Sequence, residues 1–353
     1  MTRAEVPIAP LNLRPGDRVL VTRLDYLGDV VLSLPLVDAL RARWPGVDID
    51  YLTRRPAADL LAADARFARV WTLEAGPRPS LALVRALRSR RYRAVIDLYS
   101  NPRSAWMTWL TGAPLRIGGN RRGRRHLYTR PITVPRAIRR VTDVFMQYGA
   151  PLGIEAAVPA PRPSLAIAHD EARAADALLS RVSGKPRIGI HPGGKWSVKR
   201  WPSEKFVELL EVIEKEMGGQ TVVFSGPGES EHSEALRSRV PESTVFLDVL
   251  PIRTAAAVIS RLDAMVACDG GIMHVAAAVG TPTVGIFGSS EPAVWFPYDK
   301  VGRSPAGCRA RRRRRGERRG HGGGRGAARE APRPRPVPQR RAALTEEGDD
   351  LHG

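Results

Sequence analysis

Residues 266–292 read VACDGGIMHVAAAVGTPTVGIFGSSEP, and this stretch decides the fold. An apolar run ends at Cys268, Asp269-Gly270-Gly271 turns the chain, and an alanine-rich segment with helical spacing follows; Gly280-Thr281-Pro282 then leads into a second apolar run at 283–287. Strand, turn, helix and strand form the unit of a parallel α/β sheet, because parallel neighbours need a crossover connection. A helix opening at Gly271 directs its unbonded N–H groups and the positive end of its dipole at whatever lies beyond the strand ends, which suits an anion. Asp269 repels phosphate but accepts hydrogen bonds from sugar hydroxyls, so the turn fits a phosphate beside a sugar. His274, three residues into the helix, can face either the ligand or the core, and Cys268 reads as a small buried strand residue.

Upstream the same alternation recurs. A strand at 187–191 precedes HPGGKWSVKRWP at 191–202, a helix at 203–217 with Ser203 as its N-cap, and a strand at 221–225. Further strands at 245–249 and 264–268 and a helix from Thr254 complete a second parallel sheet. Gly193 and Gly194 allow backbone N–H groups to approach an anion closely, and Lys195, Lys199 and Arg200 add charge to that loop. Trp196 and Trp201 suggest a packed loop. FSGPGE at 224–229 places Glu229 at a helix start, where it can bind a ribose diol or simply complement the helix dipole.

The first half carries strands at 18–24, 47–53, 68–73, 94–99 and 116–118, with helical patterns at 30–44 and 81–90. In RLDYLGDVVLSLP, residues 23–35, a strand ends and a helix begins at Asp29 or Val30, so Asp29 sits where a carboxylate can meet a substrate; a helix cap is the competing role. The proline-rich stretch 151–163 reads as a linker between two Rossmann-like domains that face a cleft. The expected division is 1–155, linker 156–165, and 166–300.

Charge is uneven along the 353 residues and their net +20. Residues 1–160 hold 26 Arg against 13 acids, 161–300 hold 15 Lys/Arg against 17 acids, and 301–353 hold 15 Arg against 6 acids. A basic first half suits an anionic acceptor or membrane surface, or is a solvated arginine-rich face. Residues 301–353, dominated by Arg, Gly, Pro and Ala, predict a disordered tail. A reading-frame shift near residue 300 would produce this composition, and an RNA-binding tail is its functional alternative. No apolar run approaches the roughly 20 residues of a membrane span and the start lacks a secretory pattern, so a cytoplasmic protein is expected. HExxH, CxxC, GxSxG, Walker and kinase patterns are absent from the sequence.

With these residues in view, the chain resembles glycosyltransferase family 9, the ADP-heptose:lipopolysaccharide heptosyltransferases, over about residues 17–299. The resemblance rests on LGDVVLSLP at 27–35, HPGG…KRWP at 191–202 and DGGIMHVAAAVGTPTVGIFGSSEP at 269–292. It implies a GT-B fold with acceptor on the first domain and nucleotide-sugar on the second, and an inverting transfer of a heptose from ADP-heptose to a lipopolysaccharide core acceptor. Neither a metal ion nor a cofactor is implied. Asp29 matches the general base, and Lys199 the cation at the leaving diphosphate. Asp269 matches the acid at the sugar, Gly270 and Gly271 the backbone at the phosphates, and Glu229 the ribose contact. Gly193, Gly194, Lys195 and His274 are placed with the donor, Arg23 and Gly28 with the acceptor. Partners implied are the nucleotide-sugar, an anionic lipopolysaccharide-type acceptor and the inner face of the inner membrane, with nucleic acid not expected; the alternative is an inactive, glycosyltransferase-like binding protein. Two departures stand out: the chain has Asp269-Gly270-Gly271 where heptosyltransferases commonly carry D-T-G, and arginine-rich sequence follows where they continue as helix.

Overall fold

The computed structural model describes residues 12–74, 76, 79–194, 196–229, 234 and 236–296. Lys195 and the expected disordered tail, 301–353, lie outside the described residues. The first sheet contains β1 (Arg18–Thr22), β2 (Asp48–Thr53), β3 (Arg69–Thr72), β4 (Ala94–Asp97), β5 (Leu115–Gly119) and β6 (Arg130–Ile132). They are parallel, in the order β3-β2-β1-β4-β5-β6. The second sheet contains β7 (Arg187–His191), β8 (Gln220–Phe224), β9 (Val245–Leu247), β10 (Ala264–Cys268) and β11 (Thr283–Ile286), also parallel, in the order β11-β10-β7-β8-β9. In both, the chain winds outward from its first strand and then returns to the opposite side. The reversals fall between β1 and β4 and between β7 and β10, and ligands of such sheets bind outside the strand ends at that point.

The two-residue period of a strand sends side chains to both faces, and each face needs a cover. Val19, Val21, Ile49, Tyr51, Ala94 and Ile96 pack under α1 (Leu27–Leu32), α2 (Leu34–Arg43), α3 (Ala57–Leu61) and, beyond them in the chain, Phe145 and Met146. Leu20, Leu52 and Val95 point the other way, onto Leu87 of α4 (Leu81–Ser89) and Met107 of α5 (Pro102–Leu110). The latter two side chains of the first face come from α6 (Val141–Met146). In the second sheet Val222, Met265 and Ala267 meet α7 (His169–Leu178), while Ile188, Ile190 and Val223 meet Phe206, Leu210 and Ile213 of α8 (Ser203–Met217). Two further helices, α9 (Ile252–Ile259) and α10 (Gly271–Ala278), join the Val222 face.

The two halves share a core. Ala256, Val275 and Ala278 of α9 and α10 are buried in the same cluster as Val30 and Val31 of α1. Glycine sets how closely α1 and α10 approach. A Cβ on Gly28 would fall 2.4 Å from Cδ2 of His274, and one on Gly271 2.9 Å from Cβ of Leu27. Any side chain at either position would push the helices apart.

Some local readings change. The helical pattern at 30–44 is two helices: Pro35 has no N–H to give the Val31 carbonyl, and the Ser33 hydroxyl donates to the Val30 carbonyl at 2.7 Å. The first of them begins at Leu27, earlier than expected, and Asp29 lies in its first turn. Ser203 is the first residue of α8 rather than its cap, which is Pro202, without a side-chain capping bond. The proline-rich stretch is packed rather than loose: Ile154 and Ala160 are buried, and Leu165 N donates to the Ala278 carbonyl at 2.9 Å.

Candidate active site

The first half of the site grows from the end of β1. Tyr26, immediately before α1, holds φ at 59°, a strained value for a non-glycine residue that turns the chain sharply into the helix. Asp29 follows, buried with 5% of its surface exposed. Arg23 Nη2 donates to its Oδ1 at 2.5 Å. The Arg23 guanidinium is itself fixed, 4.5 Å above the Tyr99 ring and 5.6 Å from that of Phe145. Burial raises the pKa of Asp29 and Asp25 adds to the rise; Arg23 and Lys199 oppose them without cancelling them. A carboxylate raised in this way holds a proton more readily than a solvated one.

The second half is built from loops after β7, β8 and β10. Lys199 Nζ donates to Oδ2 of Asp269 at 2.7 Å, with the Asp269 side chain buried and the lysine partly open. The Lys199 ammonium also lies 5.9 Å from the Trp295 ring. Since Lys199 acts electrostatically on Asp29 as well, it joins the two halves. Its charge and the N-terminal N–H groups of α10 make this side of the crevice attractive to an anion.

Glu229 has a different neighbourhood. Its Oε2 lies 3.2 Å from Nε2 of His191 and accepts from Gly226 N at 2.9 Å. Burial alone would raise its pKa, but the bonds to His191 and to the backbone outweigh burial and bring it down to about 2. The carboxylate presses on the glycine pair: a Cβ at Gly193 would lie 2.0 Å from Oε2. Gly194, at φ 155°, continues the turn, and its carbonyl accepts from Arg200 Nε at 2.7 Å. Glu229 thus shapes the loop that carries Gly193 and Gly194, whatever else it binds.

His274, left open between ligand and core, is buried against Gly28 at the contact between the halves. Burial pushes its pKa down to about 4, with Asp269 opposing, so the ring is neutral; Nδ1 has no hydrogen-bond partner among the described residues. Trp196 is 51% exposed, contrary to the packed loop its type suggested, whereas Trp201 stacks edge-on with Phe206 at 5.2 Å. Cys268 is buried as expected. Among the described residues no cluster of His, Cys, Asp and Glu is arranged to hold a metal ion. Sequence reasoning overlooked Tyr99 and Phe145, which position Arg23, and His191, which pairs with Glu229. Only His191 left a signal, as the first letter of the quoted HPGG motif.

A sequence model described as glycosyltransferase family 9 (heptosyltransferase) matches residues 80–312. The chain is a member of glycosyltransferase family 9. This family member is 28% identical over 308 residues to "Lipopolysaccharide heptosyltransferase 2" of Escherichia coli (strain K12), covering 81% of this chain and 87% of the relative. It is also 28% identical over 305 residues to "Lipopolysaccharide heptosyltransferase 1" of Pseudomonas aeruginosa, covering 80% and 82%. Among solved structures, a glycosyltransferase family 9 protein from Veillonella parvula superposes with a TM-score of 0.74 at 22% identity, over 82% of this chain and 86% of that one. E. coli ADP-heptose lps heptosyltransferase II gives 0.71 at 26% identity, over 81% and 89%. The family member is therefore a glycosyltransferase with the GT-B arrangement of two Rossmann-like halves. No helix among its described residues is long and apolar enough to cross a membrane.

Proposed function

We propose that this glycosyltransferase moves a heptose from ADP-heptose to an acceptor of the lipopolysaccharide core, with inversion at the anomeric carbon and without a metal ion. The half that ends near residue 155 receives the acceptor, residues 166–300 receive the donor, and 156–165 connect them. The observation that carries this reading is that Lys199, bonded to buried Asp269 in the second half, acts electrostatically on buried Asp29 in the first.

In this mechanism Oδ2 of Asp29 removes the proton from the acceptor hydroxyl, while Arg23 keeps Oδ1 and so fixes the carboxylate plane. The acceptor oxygen forms a bond to the anomeric carbon as the bond to the ADP diphosphate breaks from the opposite face. Lys199 leaves Asp269 to meet the charge that develops on the diphosphate, a role worth most in a water-poor crevice. Asp269 then accepts hydrogen bonds from the sugar, and Gly270 and Gly271 present backbone to the phosphates. Gly193 and Gly194 line the diphosphate, and Glu229, already ionised, can accept from the ribose. Two of the relatives named above carry "lipopolysaccharide heptosyltransferase" in their names, which supports this choice of sugar and acceptor. The acceptor is then met at the inner face of the inner membrane by a protein acting peripherally.

The test is transfer from ADP-heptose to an acyl-free, Kdo-bearing core acceptor in the presence of excess chelator, with the product anomer assigned by NMR. An inverted heptoside is expected. A retained configuration, or activity abolished by chelator and restored by a divalent cation, would overturn the mechanism.

A further inference from the structure

Helix α5 follows β4, whose end forms the crevice of the first sheet, and Asn101 and Ser104 close its first turn with a reciprocal pair of bonds. Its inner face is committed: Met107 enters the core with Leu87, and Ala105 packs on Leu127 and Tyr128. Its outer face is not. Trp106 and Trp109 project there with 52% and 46% of their surface exposed, touching each other edge-on at 5.6 Å. Such large apolar rings are rarely left in water as a neighbouring pair.

The surroundings select the partner. On one side the turn Arg125–Leu127 packs on α5, and Arg122 and Arg125 are exposed. On the other side Arg88, exposed on α4, reaches the end of α5 and donates to the Leu110 carbonyl at 3.4 Å. From residue 75 to 142 the sequence holds 16 arginines and one acid, Asp97, which is fully buried. Acids from outside the segment pair with Arg90, Arg93, Arg139 and Arg140, whereas Arg88, Arg122 and Arg125 have no ion pair among the described residues. Indoles that favour the boundary between hydrocarbon and water, set among unneutralised arginines, match an anionic lipid surface. A second copy would bring the same arginines against this face and be repelled.

We propose that the outer face of α5, with Trp106 and Trp109 inserted and Arg88, Arg122 and Arg125 against the headgroups, docks the enzyme on an anionic bilayer. This deepens the membrane-side reading given above. Because α5 starts at the carboxyl edge of β4, docking there sets the first-half crevice beside the bilayer, within reach of a lipid-linked acceptor.

The experiment uses the full chain with vesicles of phosphatidylcholine alone or with phosphatidylglycerol, some carrying brominated acyl chains. Arginines in residues 301–353 will also attract anionic vesicles, so the decisive readout is quenching of indole fluorescence by bromine, which needs insertion. Quenching is expected on phosphatidylglycerol vesicles, and its loss in W106S/W109S together with a fall in vesicle affinity on the order of tenfold. R122S/R125S, on the adjacent loop, should weaken binding by about fivefold per arginine at low salt, an effect that disappears at high salt. Transfer to the acyl-free acceptor should be unchanged in both variants, which separates this proposal from the transferase reading. Binding without quenching, quenching that persists in W106S/W109S, or a wild-type dimer that the same variant dissociates would overturn it.

Discussion

The two sheets wind in the same order, yet their reversal points are furnished in opposite ways. At β1/β4 the site is made of side chains: a buried carboxylate, a guanidinium locked between two rings, and a pKa pushed upward by burial. At β7/β10 it is made largely of backbone: glycine turns, a helix N-terminus, and an exposed-edge lysine held by an acid. Topology supplies a reversal point in both halves, and on our proposal loop chemistry makes one a place for moving a proton and the other a cradle for an anion.

The comparison can be broken most severely at its two charged members. Asp29→Asn keeps the shape and removes the base, so kcat should fall by about 10²–10⁴ while the melting temperature and ADP affinity, read by calorimetry, stay near wild type. Lys199→Ala should cost about 10²–10³ in kcat, and unlike the Asp29 variant it should weaken ADP binding as well. A variant that lost ADP binding at Asp29 but kept it at Lys199 would reverse the assignment of the halves.

Smaller effects sharpen the boundary between them. Gly28→Ala places a methyl 2.4 Å from the His274 ring, whose buried position leaves it little room to retreat. Destabilisation of about 1–3 kcal/mol is expected from overpacking of this kind, visible in denaturant unfolding. Gly193→Ala should act only on the second half, raising the KM for donor with little change in kcat, because it displaces the loop and not the base. Glu229 contributes to stability near neutrality, and that contribution fades only in acid. Its pKa is lowered from the usual 4.5 to about 2, so its contribution to stability is complete above 4.5 and is lost as pH falls towards 2. Glu229→Gln should therefore flatten the acid limb of the stability curve across that window and leave the curve's shape near neutrality unchanged.

Much of this organisation was legible because it is local. Glycine turns between apolar runs announced the strand, turn and helix units of both sheets, and the proposed site residues lie beside those turns. What escaped depends on distance in sequence. The three-residue β6 contains Pro131 and offers no period to read. Asp50, fully buried on β2, takes bonds from Arg90, Tyr92 and Trp71, partners 40, 42 and 21 residues away, and nothing in DIDYLT reveals them. His274 could not be assigned to ligand or core from its helix alone, because its neighbour Gly28 belongs to the other half. Asp29 and Arg23 were each legible as candidates, but not the bond between them, since the guanidinium is fixed by the distant rings of Tyr99 and Phe145.

The central claim is that Asp29 is the ionising base and that Arg23 holds down a pKa that burial raises. The pH dependence of kcat/KM for wild type beside Arg23→Gln tests it most directly. Wild type should lose activity in acid through a group above the ordinary carboxylate value of 3.8, because Asp29 must be ionised to act. Removing Arg23 takes away a charge and a hydrogen bond that hold the pKa down, so the acid limb should move to higher pH. An acid limb at the same pH in both proteins would contradict the account.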